Sequence, residues 1–342
     1  MAAHPLRAAE LLMAVAAAMA TAGSALTPAP AGPAHTPRAA VSTTTPTTPA
    51  TPTPGPWFDM NVATGSVGFW APATMPDGAP PIKAAAGILV DMDTGEILWQ
   101  RDPHLEFPPA SLTKVLTALV ALENFSPGEE VTVTSAALGQ AADDTVMGLQ
   151  AGETLSVQEL LDGMLLPSGD DAASAIAVDT VGEYRFVSAM NAQVAALGLQ
   201  DSSFSNTSGL DDPGLYSSAY DLAVIATFTY DRYLLFDQIV DTPSMELPAT
   251  PGHPAFHLDN LDALLQDYPA AVGIKPGWTG NAGACLIGMA VRGGHRLMAV
   301  LLDADYPATL EARLLDWGFE QEGLPPLLPP TPTTSPAATP GR

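Results

Sequence analysis

The chain has 342 residues, enough for one large domain or two ordinary ones. Its 47% apolar and 14% charged residues describe a globular protein, and a formal charge of −25 leaves no basic patch for nucleic acid or an anionic membrane. A single cysteine, Cys285, excludes an internal disulfide framework and a cysteine-built zinc site, and six histidines without HExxH spacing give no metal; no cofactor is expected.

The N-terminus, MAAHPLRAAELLMAVAAAMATAGSALTPAP, couples Arg7 to a short apolar stretch, Leu11–Ala22, followed by small residues. That is the pattern of a secretory signal peptide, placed at residues 1–25. The apolar run is short of the ~20 residues a spanning helix needs, so export is expected, with an uncleaved N-terminal segment as the one candidate anchor. Residues 26–56 read as a Pro/Thr-rich linker, with nine prolines between Thr27 and Pro56, and 324–342 as a disordered Pro-rich tail with seven more. The folded domain is therefore placed at 57–323. Its first stretch, WFDMNVATGSVGFWAPATMPDG, carries aromatic residues that suggest packing on the rest.

Within that domain AAAGILVDMDTGEILWQRD is two β-prone runs split by Asp93-Thr94-Gly95, a hairpin signal. A helix follows from about Ser111, with Val115, Leu116, Leu119, Val120 and Leu122 at helical spacing and Pro108 and Pro109 just outside its start. The middle third reads as helices broken by short loops. The last third holds strand-like runs in AAVGIKPGWTGNAGACLIGMAV and HRLMAVLLDA, and closes on the helical ATLEARLLDWGF. Strands, then helices, then strands suggest an α/β sheet with an inserted helical subdomain.

The chain contains only three lysines, Lys83, Lys114 and Lys275. Ser111 and Lys114 are three residues apart, so on a helix the hydroxyl and the amine share a face. At a helix N-terminus the macrodipole disfavours an ammonium and favours a developing anion, which suits a neutral lysine taking a proton from a serine nucleophile. Alone, the same spacing also fits an N-cap serine with a snorkelling lysine. Two further stretches bear on the choice. LLPSGDDAASAIA puts Ser168-Gly169-Asp170 in a tight loop before a helix, and GIKPGWTGNAG puts Lys275 in a strand-like run. Read singly these fit a helix cap and a solvated strand-end lysine.

Together, S-x-x-K, S-G-D and K-P-G in this order resemble the signature of the penicillin-binding proteins and class A β-lactamases. With DMDTGEIL, PASLTKVLTALVALE, FSNTSGLDDPGLYSSAYDLAVIA and GIKPGWTGNAGACL, the chain is similar over about residues 80–322 to the serine-type D-alanyl-D-alanine carboxypeptidases. The resemblance implies a β-lactamase/transpeptidase-like α/β fold, an antiparallel sheet flanked by helices. It implies Ser111 as nucleophile, Lys114 as general base and Ser168 as the group that passes a proton to the leaving D-alanine. It further implies that Asp170, Lys275, Gly277, Trp278 and Thr279 line the substrate site, Lys275 holding the terminal carboxylate and the Ser111 and Trp278 backbone N–H groups forming the oxyanion hole. Peptidoglycan stem peptides ending in D-Ala-D-Ala are the implied substrates and β-lactams the covalent inhibitors; a monomer is expected.

Two positions depart from the family pattern. Asp170 stands where the second motif has asparagine, replacing an amide that donates with a carboxylate that, ionised, only accepts. Pro276 stands where the third motif has threonine, which removes a hydroxyl and a backbone donor; proline in a strand belongs at an edge or an end. These departures keep open a weakened homologue that binds wall peptides without turning them over. A D,D-endopeptidase would use the same machinery. A class A β-lactamase should carry Ser-Asp-Asn and a glutamate to activate the deacylating water, and neither is seen.

Overall fold

The computed structural model describes residues 60, 62–139 and 144–329. The signal peptide at 1–25, the linker at 26–56 and the tail from 330 onward lie outside the described residues. The first hairpin forms as the sequence suggests: β1 (Ala86–Asp91) pairs antiparallel with β2 (Ile97–Arg101). Asp91 builds its turn, accepting from the backbone N–H of Asp93 at 2.8 Å and from the Thr94 hydroxyl at 2.8 Å, while Gly95 takes the left-handed position at φ +76°.

Between β2 and the last three strands come the helices. These are α1 (Thr113–Asn124), α2 (Val157–Leu165), α3 (Asp170–Val178), α4 (Glu183–Ala196), α5 (Ala219–Arg232) and α6 (Leu234–Val240). Two ribbons, β3 (Glu130–Thr132) with β4 (Thr154–Ser156) and β5 (Ser244–Leu247) with β6 (Phe256–Asp259), accompany them. A capping box starts α2: the Ser156 side chain accepts from the Glu159 N–H while Glu159 reaches back to the Ser156 N–H. The chain continues through α7 (Leu264–Asp267), β7 (Ala271–Thr279), β8 (Gly283–Arg292), β9 (His295–Leu302) and α8 (Pro307–Gln321).

The main sheet runs β2-β1-β9-β8-β7 and every pairing in it is antiparallel. Both faces are covered. Along β9, Met298, Val300 and Leu302 join the core shared with the helical insertion, whereas Leu297, Ala299 and Leu301 join a second core under α8. Burial on both faces is why these strands read as unbroken apolar runs and not as alternating ones. The α/β architecture with an inserted helical subdomain is thus the one expected, with β7 at the open edge of the sheet.

The domain's margins differ from expectation in one respect. The tail was expected to start at residue 324, yet residues 324–329 dock on the domain. The Leu327 and Leu328 N–H groups donate to the Asp316 carboxylate at 2.8 and 2.9 Å, and Arg292 donates to the Pro325 carbonyl. A buried carboxylate that needs donors fixes these residues, a demand that composition does not reveal. At the other end, the described part of the aromatic-rich stretch packs as anticipated: Ile97 N–H donates to the Trp70 carbonyl at 2.9 Å, and Gln193 exchanges two hydrogen bonds with the Ala63 backbone at 2.8 and 2.9 Å.

Candidate active site

Ser111 lies in a 3-10 turn, Ala110–Leu112, that leads into α1. Ala110 before it is left-handed at φ +50°, a conformation that costs a residue with a Cβ about 1–2 kcal/mol and is held here by close packing on both sides. On one side is Gly209, where a Cβ would fall 1.8 Å from the Ala110 carbonyl oxygen. On the other is Gly277 of β7, where a Cβ would lie 3.0 Å from the Ser111 nitrogen. Two glycines therefore let a loop and the sheet edge press on the serine's own backbone.

Lys114, one turn on, is fully buried and uses all three donors. Its Nζ lies 2.9 Å from Ser111 Oγ, 2.6 Å from Asp170 Oδ1 and 2.7 Å from the Ser208 carbonyl oxygen. Burial pulls the amine below the usual lysine range, against the Asp170 charge, which favours the ammonium. The partner shifts the opposite way: burial pushes the Asp170 carboxyl up, and the Lys114 charge opposes it. Both directions lean toward an uncharged amine beside an uncharged acid.

Asp170 reaches this corner because α3 begins there. Gly169 is the helix N-cap, the Gly169 N–H donates to the Gly163 carbonyl at 2.9 Å, and the Asp170 N–H donates to the Thr145 carbonyl at 2.7 Å. Ser168, buried and left-handed at φ +64°, lies between that cap and the end of α2. Asp171 does the structural work: its carboxylate accepts from the N–H groups of Met147, Gly148, Leu149 and Ala172, each at 2.9 Å. It thereby ties the 145–149 segment to the start of α3.

Lys275 enters from β7 and is also fully buried. Its single hydrogen bond among the described residues goes to the Pro276 carbonyl at 3.2 Å. Burial brings its amine down to about 7, the Lys114 charge adds to the fall, and Asp262 and Asp170 oppose it. Asp262 itself is fully buried and pushed up to about 6 by burial. Pro276 pairs with Leu286 on the edge strand, where proline removes no donor that the sheet's interior needs. Trp278 follows, 45% exposed. The Thr279 hydroxyl donates to Asp211 Oδ1 at 2.6 Å, and Asp211 Oδ2 accepts the Asn281 N–H at 3.2 Å. An anion meeting Thr279 would thus have to displace Asp211.

The structure brings Ser111, Lys114 and Asp170 into hydrogen-bond contact and sets Gly277 against the serine turn, with Lys275 on the same strand. A serine whose oxygen faces a desolvated lysine, beside a second buried cation and the free edge of a sheet, is arranged for acyl transfer to an extended peptide that ends in a carboxylate. Sequence reasoning missed the Ser208 carbonyl, Asp171, Asp211 and Asp262. The loop FSNTSGLDDPGLYSS held two of these, but nothing in its composition tells a carbonyl's direction.

Residues 73–306 match the D-alanyl-D-alanine carboxypeptidase family. The chain belongs to this family. It is 37% identical over 265 residues to a D-alanyl-D-alanine carboxypeptidase of Mycobacterium tuberculosis, covering 73% of this chain and 88% of that protein. It is 32% identical to a D-alanyl-D-alanine carboxypeptidase of Bacillus subtilis over 72% of this chain and 64% of the relative, so it spans less than two thirds of that protein. Among solved structures, the crystal structure of a Mycobacterium tuberculosis D-alanyl-D-alanine carboxypeptidase is similar at TM-score 0.66, with 35% identity, covering 72% of this chain and 96% of that one. A Streptomyces DD-transpeptidase is similar at TM-score 0.67, with 28% identity, covering 71% and 99%. This carboxypeptidase is accordingly a serine peptidase, a hydrolase of the penicillin-binding type.

Proposed function

We propose that this chain trims the terminal D-alanine from peptidoglycan stem peptides through an acyl-enzyme on Ser111. The observation that carries this reading is Lys114 Nζ, fully buried and 2.9 Å from Ser111 Oγ. Ser111 Oγ attacks the carbonyl carbon between the two D-alanines as its proton passes to the Lys114 amine. The backbone N–H groups of Ser111 and Trp278 receive the developing oxyanion. The C–N bond then breaks, the departing amine gains a proton by way of Ser168, and an ester to Ser111 remains. Water, giving a proton to the same base, hydrolyses that ester and restores the serine.

Lys275 holds the substrate's terminal carboxylate, which supplies the acceptor that its otherwise under-used ammonium lacks. Gly277 gives the substrate backbone room beside β7, and Trp278 and Thr279 border it. A β-lactam, which resembles the D-Ala-D-Ala end, acylates Ser111 and remains bound. Every residue invoked comes from one chain, so a monomer suffices. A substrate in the cell wall supports an extracytoplasmic site of action, and on this reading residues 1–25 act as the export signal and 26–56 as a spacer. No helix among the described residues is long and apolar enough to cross a membrane.

The test is intact-protein mass after incubation with benzylpenicillin, with Ser111→Ala as control, followed by an assay for released D-alanine from a D-Ala-D-Ala peptide. An adduct of penicillin mass on the parent alone, together with D-alanine release, is the expected result. An adduct on both proteins, or no adduct and intact penicillin, sinks the assignment.

A further inference from the structure

The family's second motif ends in asparagine and this chain's ends in Asp170, whose carboxyl is 5% exposed and 2.6 Å from a catalytic lysine. Asparagine offers one acceptor oxygen and one donor nitrogen on a planar frame; an aspartic acid offers the same pair only while it holds a proton. Ionised, it offers two acceptors and repels a substrate carbonyl. Here Oδ1 is committed to Lys114, which leaves Oδ2 as the atom that stands in for the amide nitrogen.

We propose that Asp170 works as the protonated acid, its Oδ2–H donating to the substrate carbonyl in place of an asparagine amide, so that a single titratable proton gates acylation. The inference rests on the assignment of Ser111 and Lys114 given above.

Hydrogen-bond counting at Lys114 says which oxygen of the acid carries the proton. Three groups meet Nζ, and of these the Ser208 carbonyl can only accept. For the amine to act as base its lone pair must face Ser111, and its two N–H groups then go to Ser208 and to Asp170 Oδ1. In that arrangement Asp170 Oδ1 is an acceptor, and the acid's proton belongs on Oδ2. The proton is already in the site: it crosses the 2.6 Å contact from Lys114 Nζ to the facing carboxyl oxygen, and a half-turn of the carboxyl about Cβ–Cγ then carries the protonated oxygen away from Lys114 and turns the other oxygen to it as acceptor, so that the ammonium–carboxylate pair becomes amine plus acid with no net loss. The groups facing Asp170 are Lys114 from α1, Lys275 from β7, and Asp144 from the loop ahead of Thr145. Asp171, next in α3, is turned away to four backbone donors. Burial, the largest influence, opposes ionisation of Asp170, and the Asp144 charge adds to it, whereas the Lys114 and Lys275 charges favour ionisation.

The probe is benzylpenicillin methyl ester, which has no carboxylate for Lys275 and so removes that lysine's contact with the probe from the result; the comparison with Asp170→Asn separates what remains of its titration. Adduct formation on the full chain is followed by intact mass from mildly acid to mildly alkaline pH, for the parent and for Asp170→Asn. The parent rate is expected to fall about tenfold per pH unit on the alkaline side, where the acid is lost, while Asp170→Asn stays level there. Identical alkaline limbs in the two proteins, or no such limb in the parent, overturn the inference while leaving Ser111 as nucleophile. Absence of any adduct on the parent at every pH would instead remove the assignment on which it rests. A second readout does not need the variant to fold: the infrared difference between free and acylated parent should show the carbonyl stretch of a protonated carboxyl at acid pH. Its absence there overturns the inference as well.

Discussion

Lys114 and Lys275 are both fully buried, near enough for the Lys114 charge to act on Lys275, and both drawn down by desolvation, yet they are furnished differently. Lys114 has three acceptors, one a carboxylate at 2.6 Å; Lys275 has one backbone carbonyl at 3.2 Å. The difference fits the role proposed for each. A base must be held in register with its nucleophile before substrate arrives, so its neighbours are built in. A carboxylate-binding cation is better left short of acceptors, so that the ligand completes its shell. Burial alone, which the two share, does not separate these roles; the partners do.

Exchanging each lysine for methionine tests that separation most severely. Lys114→Met should slow benzylpenicillin acylation about 10²–10⁴-fold with any acylating ester or amide, because the base is gone. Lys275→Met should lower kcat/KM about 10²-fold for a peptide ending in a free carboxylate, and by far less for the same peptide with that end blocked as an amide. Steady-state D-alanine release with the two peptides measures this. Equal losses on both peptides for Lys275→Met would mean that the second lysine also serves the reacting centre, and the contrast drawn here would collapse. A smaller effect is expected where the two halves of the site touch. Gly277→Ala has no positive φ to strain, but its Cβ would sit 3.0 Å from the Ser111 nitrogen and 3.1 Å from the Ala110 Cβ. Moving the serine turn by a few tenths of an ångström should cost about tenfold in acylation rate with little change in thermal stability.

How much of this was legible beforehand follows the same division. Ser111 and Lys114 are near neighbours in sequence, and a helical turn converts that spacing into contact, so local geometry carried the contact, while the order of the three motifs carried its reading as nucleophile and base. The strands of the sheet were visible as apolar runs, and the Asp93-Thr94-Gly95 turn as a hairpin, for equally local reasons. Lys275 and Asp170 were found through motif order, since no spacing rule brings residues 56 and more positions apart together. What stayed hidden depends on direction: the Ser208 carbonyl aimed at Lys114, the four N–H groups converging on Asp171, and Asp211 closing on Thr279. Asp171 and Asp170 are adjacent and chemically identical, yet one anchors a loop and the other enters the site, a distinction set by which way α3 presents each side chain. The docking of residues 324–329 was hidden because proline-rich composition reads as linker until a buried carboxylate, Asp316, is seen to need donors.

The back of the sheet offers the converse of the Lys114–Asp170 pair: a buried acid with no cation beside it. Glu311 of α8 is fully buried above Gly288, whose hypothetical Cβ would lie 2.0 Å from Glu311 Oε2. Burial drives its carboxyl well above the usual range and the Asp262 charge adds to this, against the backbone N–H groups of Leu301 and Gly288. The folded state therefore keeps a proton that the unfolded chain releases above about pH 4.3. Above that point the folded state binds more protons than the unfolded one, so stability falls as pH rises until the folded group itself ionises. Glu311→Gln removes this dependence while keeping the shape. The variant's melting temperature should match the parent's near about pH 4–5 and exceed it progressively toward pH 8, by an amount on the order of 1–3 kcal/mol in unfolding free energy, with catalysis almost unchanged. A melting difference that is constant with pH would mean that Glu311 is ionised in the folded protein. In that case desolvation without a cation would not by itself hold a carboxyl neutral in this fold, and the neutral state argued for Asp170, where burial must outweigh a neighbouring Lys114 charge that favours ionisation, would lose its main support.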